Sequence, residues 1–170
     1  MVRAAAIAAV LVATSSAGMQ LRSSDFSAGA RLPKVLMASD CGGENRSPAL
    51  TWTNAPRNAK SFALIVHDAD APIPGGFYHW VVYNLSPATQ RLAGNAKLSS
   101  NQLGDTSAGR PGYYGPCPPP GPAHHYTFTL YALDVTQIQS PAPLTGAQLE
   151  GRMDGHILAR AILQGTESRP

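Results

Sequence analysis

The sequence SFALIVH, residues 61–67, is a continuous apolar run that ends at a histidine and is followed by Asp68. Its length predicts a strand rather than a helix, and its apolar residues at both odd and even positions indicate burial on both faces of a sheet. The run HWVVYNL at residues 79–85 is rich in β-branched and aromatic residues, and YTFTLYAL at residues 126–133 begins by alternating apolar and polar side chains. These features predict two more strands around a central strand at residues 61–67.

The remaining sequence adds a short predicted strand at residues 48–52 and one helical region near the C-terminus. Thr145 and Gln148 match a capping box, and apolar residues then recur every four positions, at Leu149, Met153, Ile157 and Ala161. Gly151 and Gly155 weaken this helix, so the region is predicted as one helix or two short ones. The fold class that follows is mainly β: an antiparallel β-sandwich with a peripheral C-terminal helix.

Length and composition limit the number of domains and the kinds of partner that can be expected for the chain. It has 170 residues, of which 14% are charged, and a net charge of +3. This length suits one domain, predicted at residues 18–170 after removal of a leader. The 13 lysines and arginines are scattered singly, without a basic stripe, so nucleic acid is not an expected partner.

The first 17 residues predict a secretory signal peptide. Arg3 precedes an apolar run at residues 4–13, and small residues follow at 15–17. The run is too short to span a bilayer, and no later segment predicts a transmembrane helix. The alternatives are an ordinary N-terminal helix or a membrane anchor. With a signal peptide, the protein is exported and is periplasmic or secreted.

Export affects how the two cysteines are interpreted. Cys41 and Cys117 are 76 positions apart and belong to no CxxC pair or zinc-finger spacing. In an oxidising compartment one disulfide between them is expected. The alternative is two separate buried thiols, since free cysteine is often buried.

The segment Gly104–Ala123, called the Pro-rich segment below, contains five glycines and six prolines and cannot join a regular ladder. A loop of this length is usually either functional or disordered. Its two adjacent tyrosines and its cysteine indicate that it is attached to the body of the protein. We therefore expect it to form the wall of a pocket.

Polar residues gather at the ends of the predicted strands. Asp68 and Asp70 have the same parity, so an extended chain would direct both carboxylates to one side. His79 opens the next strand, and His124 and His125 follow the Pro-rich segment. If these strands are neighbours, two carboxylates and up to three imidazoles meet at one edge of the sheet. Each residue taken alone also suits a turn or a structural role.

Several motifs together resemble the phosphatidylethanolamine-binding protein family. SPALTW at residues 47–52, HDADAP at 67–72 and HWVVYN at 79–84 are similar to its first signature. YGPCPP at 114–119, followed by HHY at 124–126, is similar to its second. The resemblance covers nearly the whole mature chain and is strongest to the bacterial Raf-kinase-inhibitor-like branch.

This resemblance implies an antiparallel β-sandwich with a small anion pocket at one end. By position, the implied lining residues are Asp68, Asp70, His79, Pro118, Pro119 and His124, with Cys117 offering a backbone N–H and Tyr126 at the floor. His79 and His124 are expected to donate to an anion, more strongly when protonated. Asp68 is expected to hold an imidazole in its donating tautomer.

The expected function is binding of a small phosphorylated or other anionic ligand, such as a phospholipid headgroup. The chain is not expected to be an enzyme or to need a cofactor or metal. For some relatives the resemblance implies kinase or protease inhibition, but no motif selects a protein partner. The alternatives are a metal-dependent hydrolase that uses His79, His124, His125 and the two aspartates, and a purely structural exported domain.

Overall fold

Seven strands and one α-helix form the described part of the chain. The structure is a computed structural model that describes residues 18–170, so the predicted signal peptide lies outside the described residues. In chain order the elements are β1 (Gln20–Ser23), β2 (Leu50–Thr53), β3 (Ser61–Asp68), β4 (Phe77–Leu85), β5 (Arg91–Leu92), β6 (His124–Leu133), α1 (Gly146–Met153) and β7 (Ile157–Glu167).

The strands form two antiparallel sheets, which confirms the predicted sandwich. One sheet has the order β4-β3-β6-β7 and the other has the order β1-β2-β5. The main core lies between them, where Trp52 of the smaller sheet packs edge-on against Phe62 of the larger one with ring centroids 5.5 Å apart. The second tryptophan, Trp80, is also buried in this core.

The central strand β3 is buried on both faces, as its apolar run predicts. Phe62, Leu64 and Val66 face the core between the two sheets. Ala63 and Ile65 face the opposite side, where they pack in a second cluster with residues of α1. Because β3 is hydrogen-bonded to β4 on one side and to β6 on the other, it fixes the register of the larger sheet.

The C-terminal helix begins where the capping box predicts and ends earlier than the apolar spacing predicts. Thr145 and Gln148 exchange both capping hydrogen bonds. The helix ends at Met153, Gly155 adopts a φ of +78°, and the chain then enters β7. The prediction that Ile157 and Ala161 continue the helix was wrong. A spacing of four suits a strand as well as a helix, and the long antiparallel ladder with β6 selects the strand.

The Pro-rich segment is attached to the sandwich at several points. Tyr114 donates its backbone N–H to the carbonyl of His79 at 2.8 Å, and Pro116 accepts from the N–H of Ala38 at 3.1 Å. The predicted disulfide joins Cys41 to Cys117, with the two Cα atoms 5.6 Å apart. These contacts hold the segment along the end of β4.

Two glycines of α1 give a matched test of how the helix packs. Gly151 is exposed, and a Cβ there would touch nothing, so Gly151→Ala should stabilise the protein by about 0.5–1 kcal/mol. A Cβ on Gly146 would overlap the ring of Tyr78, so Gly146→Ala should destabilise it by about 1–3 kcal/mol. Urea unfolding of both variants measures the difference, and equal effects would contradict the packing of α1 on β4.

Candidate functional site

A cavity of about 210 Å³ opens at the end of the larger sheet, where β3 ends and β4 and β6 begin. The register creates this meeting point, since Asp68 lies opposite Phe77 on one neighbouring strand and opposite Tyr126 on the other. The Pro-rich segment forms the facing wall. The lining residues are Asp68, Ala71, Pro72, Ile73, Phe77, His79, Tyr114, Cys117, Pro118, Pro119, His124 and Tyr126.

Seven of the eight predicted site residues line this cavity, and Asp70 does not. The strand ends at Asp68 and the chain turns, so that the N–H of Asp70 donates to Asp68 Oδ1 at 2.9 Å. The expectation that an extended chain directs both carboxylates to one side therefore fails. The exposed Asp70 carboxylate instead accepts from the backbone N–H and the ring Nδ1 of His125, each at 2.8 Å.

The Asp70–His125 pair lies outside the cavity and ties the loop after β3 to the start of β6. Hydrogen bonds from His125, first from its ring and then from its backbone, lower the pKa of Asp70. Both side chains are about half exposed. His125 therefore does not join the other two histidines in the cavity.

Asp68 and His124 form a buried pair in the cavity wall. His124 Nδ1 lies 2.7 Å from Asp68 Oδ2 and donates to it. This bond places the proton of a neutral His124 ring on Nδ1. Nε2 is then the ring nitrogen available to a ligand.

His79 has the same tautomer for a different reason. Its Nδ1 lies 2.7 Å from the carbonyl oxygen of Tyr114, which can only accept, so Nδ1 carries the proton. Burial lowers the pKa of His79 to about 4, although the bond to Tyr114 and the charge of Asp68 oppose the shift. His79 is therefore neutral at pH 7 and offers an acceptor at Nε2, which corrects the expectation of a charged donor.

The hydroxyl of Tyr126 is buried and makes no hydrogen bond to any residue of the described chain. Burial, reinforced by the carboxylates of Asp68 and Glu167, raises the pKa of Tyr126, so the side chain remains a phenol. An unsatisfied buried hydroxyl costs free energy, about 1–3 kcal/mol. Tyr126 itself is one of the residues that line the cavity.

The facing wall supplies one backbone donor. Within residues 116–120 only Cys117 has an N–H, because the other four residues are prolines. That N–H has no partner among the hydrogen bonds of residues 18–170. The prolines themselves present a rigid apolar surface to the cavity.

Aromatic rings that the sequence analysis did not assign to the site complete the cavity. Phe77 lies 4.6 Å from the His79 ring and 5.6 Å from the Tyr114 ring, measured between centroids. Tyr114 belongs to the YGPCPP motif and Phe77 stands two positions before His79, so the neighbouring motifs could have indicated that both residues line the cavity. Within residues 18–170, no three His, Cys, Asp or Glu side chains stand close enough together to hold a metal ion.

Comparison with known proteins gives a consistent result. The sequence model described as phosphatidylethanolamine-binding protein matches residues 22–168. A UPF0098 protein of Chlamydia trachomatis is 45% identical over 152 residues, which cover 87% of this chain and 97% of that protein. A Mycobacterium tuberculosis protein named as lipoprotein LppC is 35% identical over 165 residues, which cover 96% of this chain and 79% of that protein.

Among solved structures, Escherichia coli YbcL, described as a member of the mammalian PEBP family, superposes with a TM-score of 0.85 at 31% sequence identity. The match covers 91% of this chain and all of that chain. The sandwich, the motifs at the cavity and these matches lead to one conclusion: the chain belongs to the phosphatidylethanolamine-binding protein family.

Proposed function

We propose that the cavity binds a small phosphorylated ligand through its phosphoryl oxygens. The observation that carries the proposal is the unpartnered hydroxyl of Tyr126, a buried donor in the cavity wall. The N–H of Cys117 supplies a second donor, and His124 supplies a third when it is protonated. At about 210 Å³ the cavity suits a headgroup-sized molecule rather than a large substrate.

The protonation state of His79 determines which ionic form of a phosphate the cavity suits. A neutral His79 presents a lone pair at Nε2, which repels a fully ionised phosphate oxygen. A phosphate monoanion keeps one P–OH group and can donate it to that nitrogen. The cavity therefore suits the monoanion, because Tyr126 and Cys117 donate to its charged oxygens while His79 accepts its proton.

This assignment makes the protein a binding protein rather than an enzyme, and it requires no cofactor. We propose in addition that the protein is exported. The apolar leader at residues 1–17 and the name of the mycobacterial relative support export. Residues 18–170 contain no helix that is both long and apolar enough to cross a membrane. An exported protein could modulate a protease or a surface enzyme more readily than a cytoplasmic kinase.

Phosphate binding to the cavity should weaken as the pH rises above about 6. A phosphate monoester takes up its second proton near pH 6, so the dissociation constant for phosphoethanolamine should rise by up to about tenfold per pH unit above pH 6. Titration calorimetry between pH 5 and 8 measures this trend. Sulfate, which carries no proton in this range, is the control. If sulfate shows the same increase in affinity at low pH, a protein group such as His124 takes up the proton, and the preference of the cavity for the phosphate monoanion is wrong.

Variants of His79 test the acceptor directly. His79→Asn replaces the Nδ1–H donor to Tyr114 but removes the acceptor at Nε2. It should weaken phosphoethanolamine binding by about 10- to 100-fold, the usual range for a hydrogen bond to a charged group. The matched control is His125→Asn, which lies outside the cavity and should leave affinity unchanged. Equal effects of the two changes would place the ligand elsewhere.

Tyrosine-to-phenylalanine changes separate binding from stability. Tyr126→Phe removes an unsatisfied hydroxyl, so it should leave the free energy of unfolding unchanged or raise it, while weakening phosphate binding. Tyr113→Phe is the control, because its hydroxyl donates to the carbonyl of Leu36 at 3.0 Å. It should cost about 1 kcal/mol of stability without loss of affinity. If neither the wild type nor any variant binds phosphate at millimolar concentration, the proposed function is wrong and the alternative of a structural domain gains support.

A further inference from the structure

The disulfide lies between two cavities. Cys117 lines the cavity described above, while Cys41 lines a second cavity of about 520 Å³ near the C-terminal tail. Arg31, Lys34, Glu167 and Arg169 also line this second cavity. The sulfur–sulfur bond is therefore next to a charged surface on one side and the ligand cavity on the other.

Arg169 makes an unusual contact with this bond. Its Nη1 lies 3.0 Å from Cys41 Sγ and 4.0 Å from Cys117 Sγ. Within the described residues it forms no salt bridge, and its Nε is buried without a partner. The backbone carbonyl of Arg169 accepts from the N–H of Gly121 at 3.2 Å, which anchors the residue beside the Pro-rich segment. An uncompensated guanidinium is thus held against the sulfur atoms.

None of the other charged groups described near Cys41 forms an ion pair with Arg169. Lys34 packs over Gly42, where an added Cβ would lie 3.9 Å from Nζ. Glu167 is paired with Arg31 at 2.7 Å, so its charge is already balanced. Asp40 is exposed and accepts a hydrogen bond from the Tyr114 hydroxyl at 3.4 Å. A guanidinium therefore contacts Cys41 Sγ, and a positive charge beside a sulfur atom is the kind of environment that stabilises a thiolate.

We propose that the Cys41–Cys117 bond is a thiol-exchange site, in which Arg169 stabilises Cys41 as the leaving thiolate. One thiolate of a dithiol reductant attacks Cys117 Sγ and forms a mixed disulfide, and the Cys41–Cys117 bond breaks with its electron pair going to Cys41 Sγ. The second thiolate of the reductant then attacks its own sulfur in the mixed disulfide. The reductant leaves as a disulfide, and Cys117 Sγ takes a proton from solvent.

Breaking this bond changes the wall of the ligand cavity. Pro116 remains attached to Ala38 by its backbone carbonyl. Between Pro116 and the start of β6 at His124, the attachments are the disulfide and the backbone contact of Gly121 with Arg169. Reduction therefore removes the covalent attachment next to Pro118 and Pro119, which line the cavity, and leaves them held only through Pro116 and Gly121 on either side and by their own packing. This consequence, unlike the exchange chemistry itself, rests on the proposed function.

The exchange chemistry is tested with dithiothreitol on the folded oxidised protein. Partial charge develops on the leaving sulfur, so Arg169→Gln should slow reduction at pH 7 by roughly threefold, while Arg169→Lys keeps most of the wild-type rate. Arg160→Gln removes an exposed arginine of β7 and should change nothing. Equal rates for Arg169→Gln and wild type would overturn the proposal. So would a rate independent of dithiothreitol concentration, because reduction would then require unfolding.

Alkylation supplies a second readout. In the reduced protein, Cys41 should react with iodoacetamide faster than Cys117 at pH 7, and peptide mass spectrometry separates the two. Arg169→Gln should abolish the difference because the thiolate loses its stabilising charge. Faster reaction at Cys117 would overturn the assignment of Cys41 as the leaving group.

The effect on the cavity is measured by calorimetry. Cys41→Ser removes the disulfide without changing any residue that lines the ligand cavity. It should weaken phosphoethanolamine binding by about fivefold, because the cavity wall loses its covalent attachment and must be ordered when the ligand binds. Equal affinity of Cys41→Ser and the oxidised wild type would overturn the coupling between bond and cavity. If the oxidised wild type binds no phosphoethanolamine, the proposed function fails while the reduction rates still test the exchange site.

Discussion

The burial of β3 on both faces is the constraint on which the rest of the structure depends. A strand whose apolar residues fall on both faces needs a covered face on each side and a neighbour along each edge. The smaller sheet and α1 cover its faces, and β4 and β6 pair with its edges. Because both pairings are antiparallel and run to Asp68, the start of β4 and the start of β6 meet at one place. The cavity is the open end of this arrangement.

The sequence was sufficient for β2, β3, β4 and β6, but it did not predict β1, β5 or β7, nor the chemistry of several side chains. The apolar run at 61–67 and the alternation after Tyr126 each have one reasonable interpretation, and both strands are present. The spacing of Ile157 and Ala161 has two interpretations, and only the available edge of β6 decides between them. Parity could not place Asp70, because it holds only while the chain stays extended.

The state of His79 could not be predicted from sequence. Burial opposes a charge on this ring, and the carbonyl of Tyr114, which determines the tautomer, belongs to a residue 35 positions away. The lack of a hydrogen-bond partner for the Tyr126 hydroxyl could not be predicted from the sequence either, because it depends on which residues surround the hydroxyl in the folded protein. Positions on a motif were therefore predictable, whereas proton positions and unmet hydrogen bonds were not.

The pairing of β3 with β6 also has a consequence for how the chain folds. Ser61 lies opposite Leu133 and Asp68 lies opposite Tyr126, so the central contacts join residues far apart in sequence. Loops of this size must close before the pairing can stabilise anything, which places the protein among slow folders, on the order of milliseconds to seconds. Until β6 has been synthesised, one edge of the most apolar strand has no partner. During that interval the nascent chain is open to aggregation and to binding by chaperones.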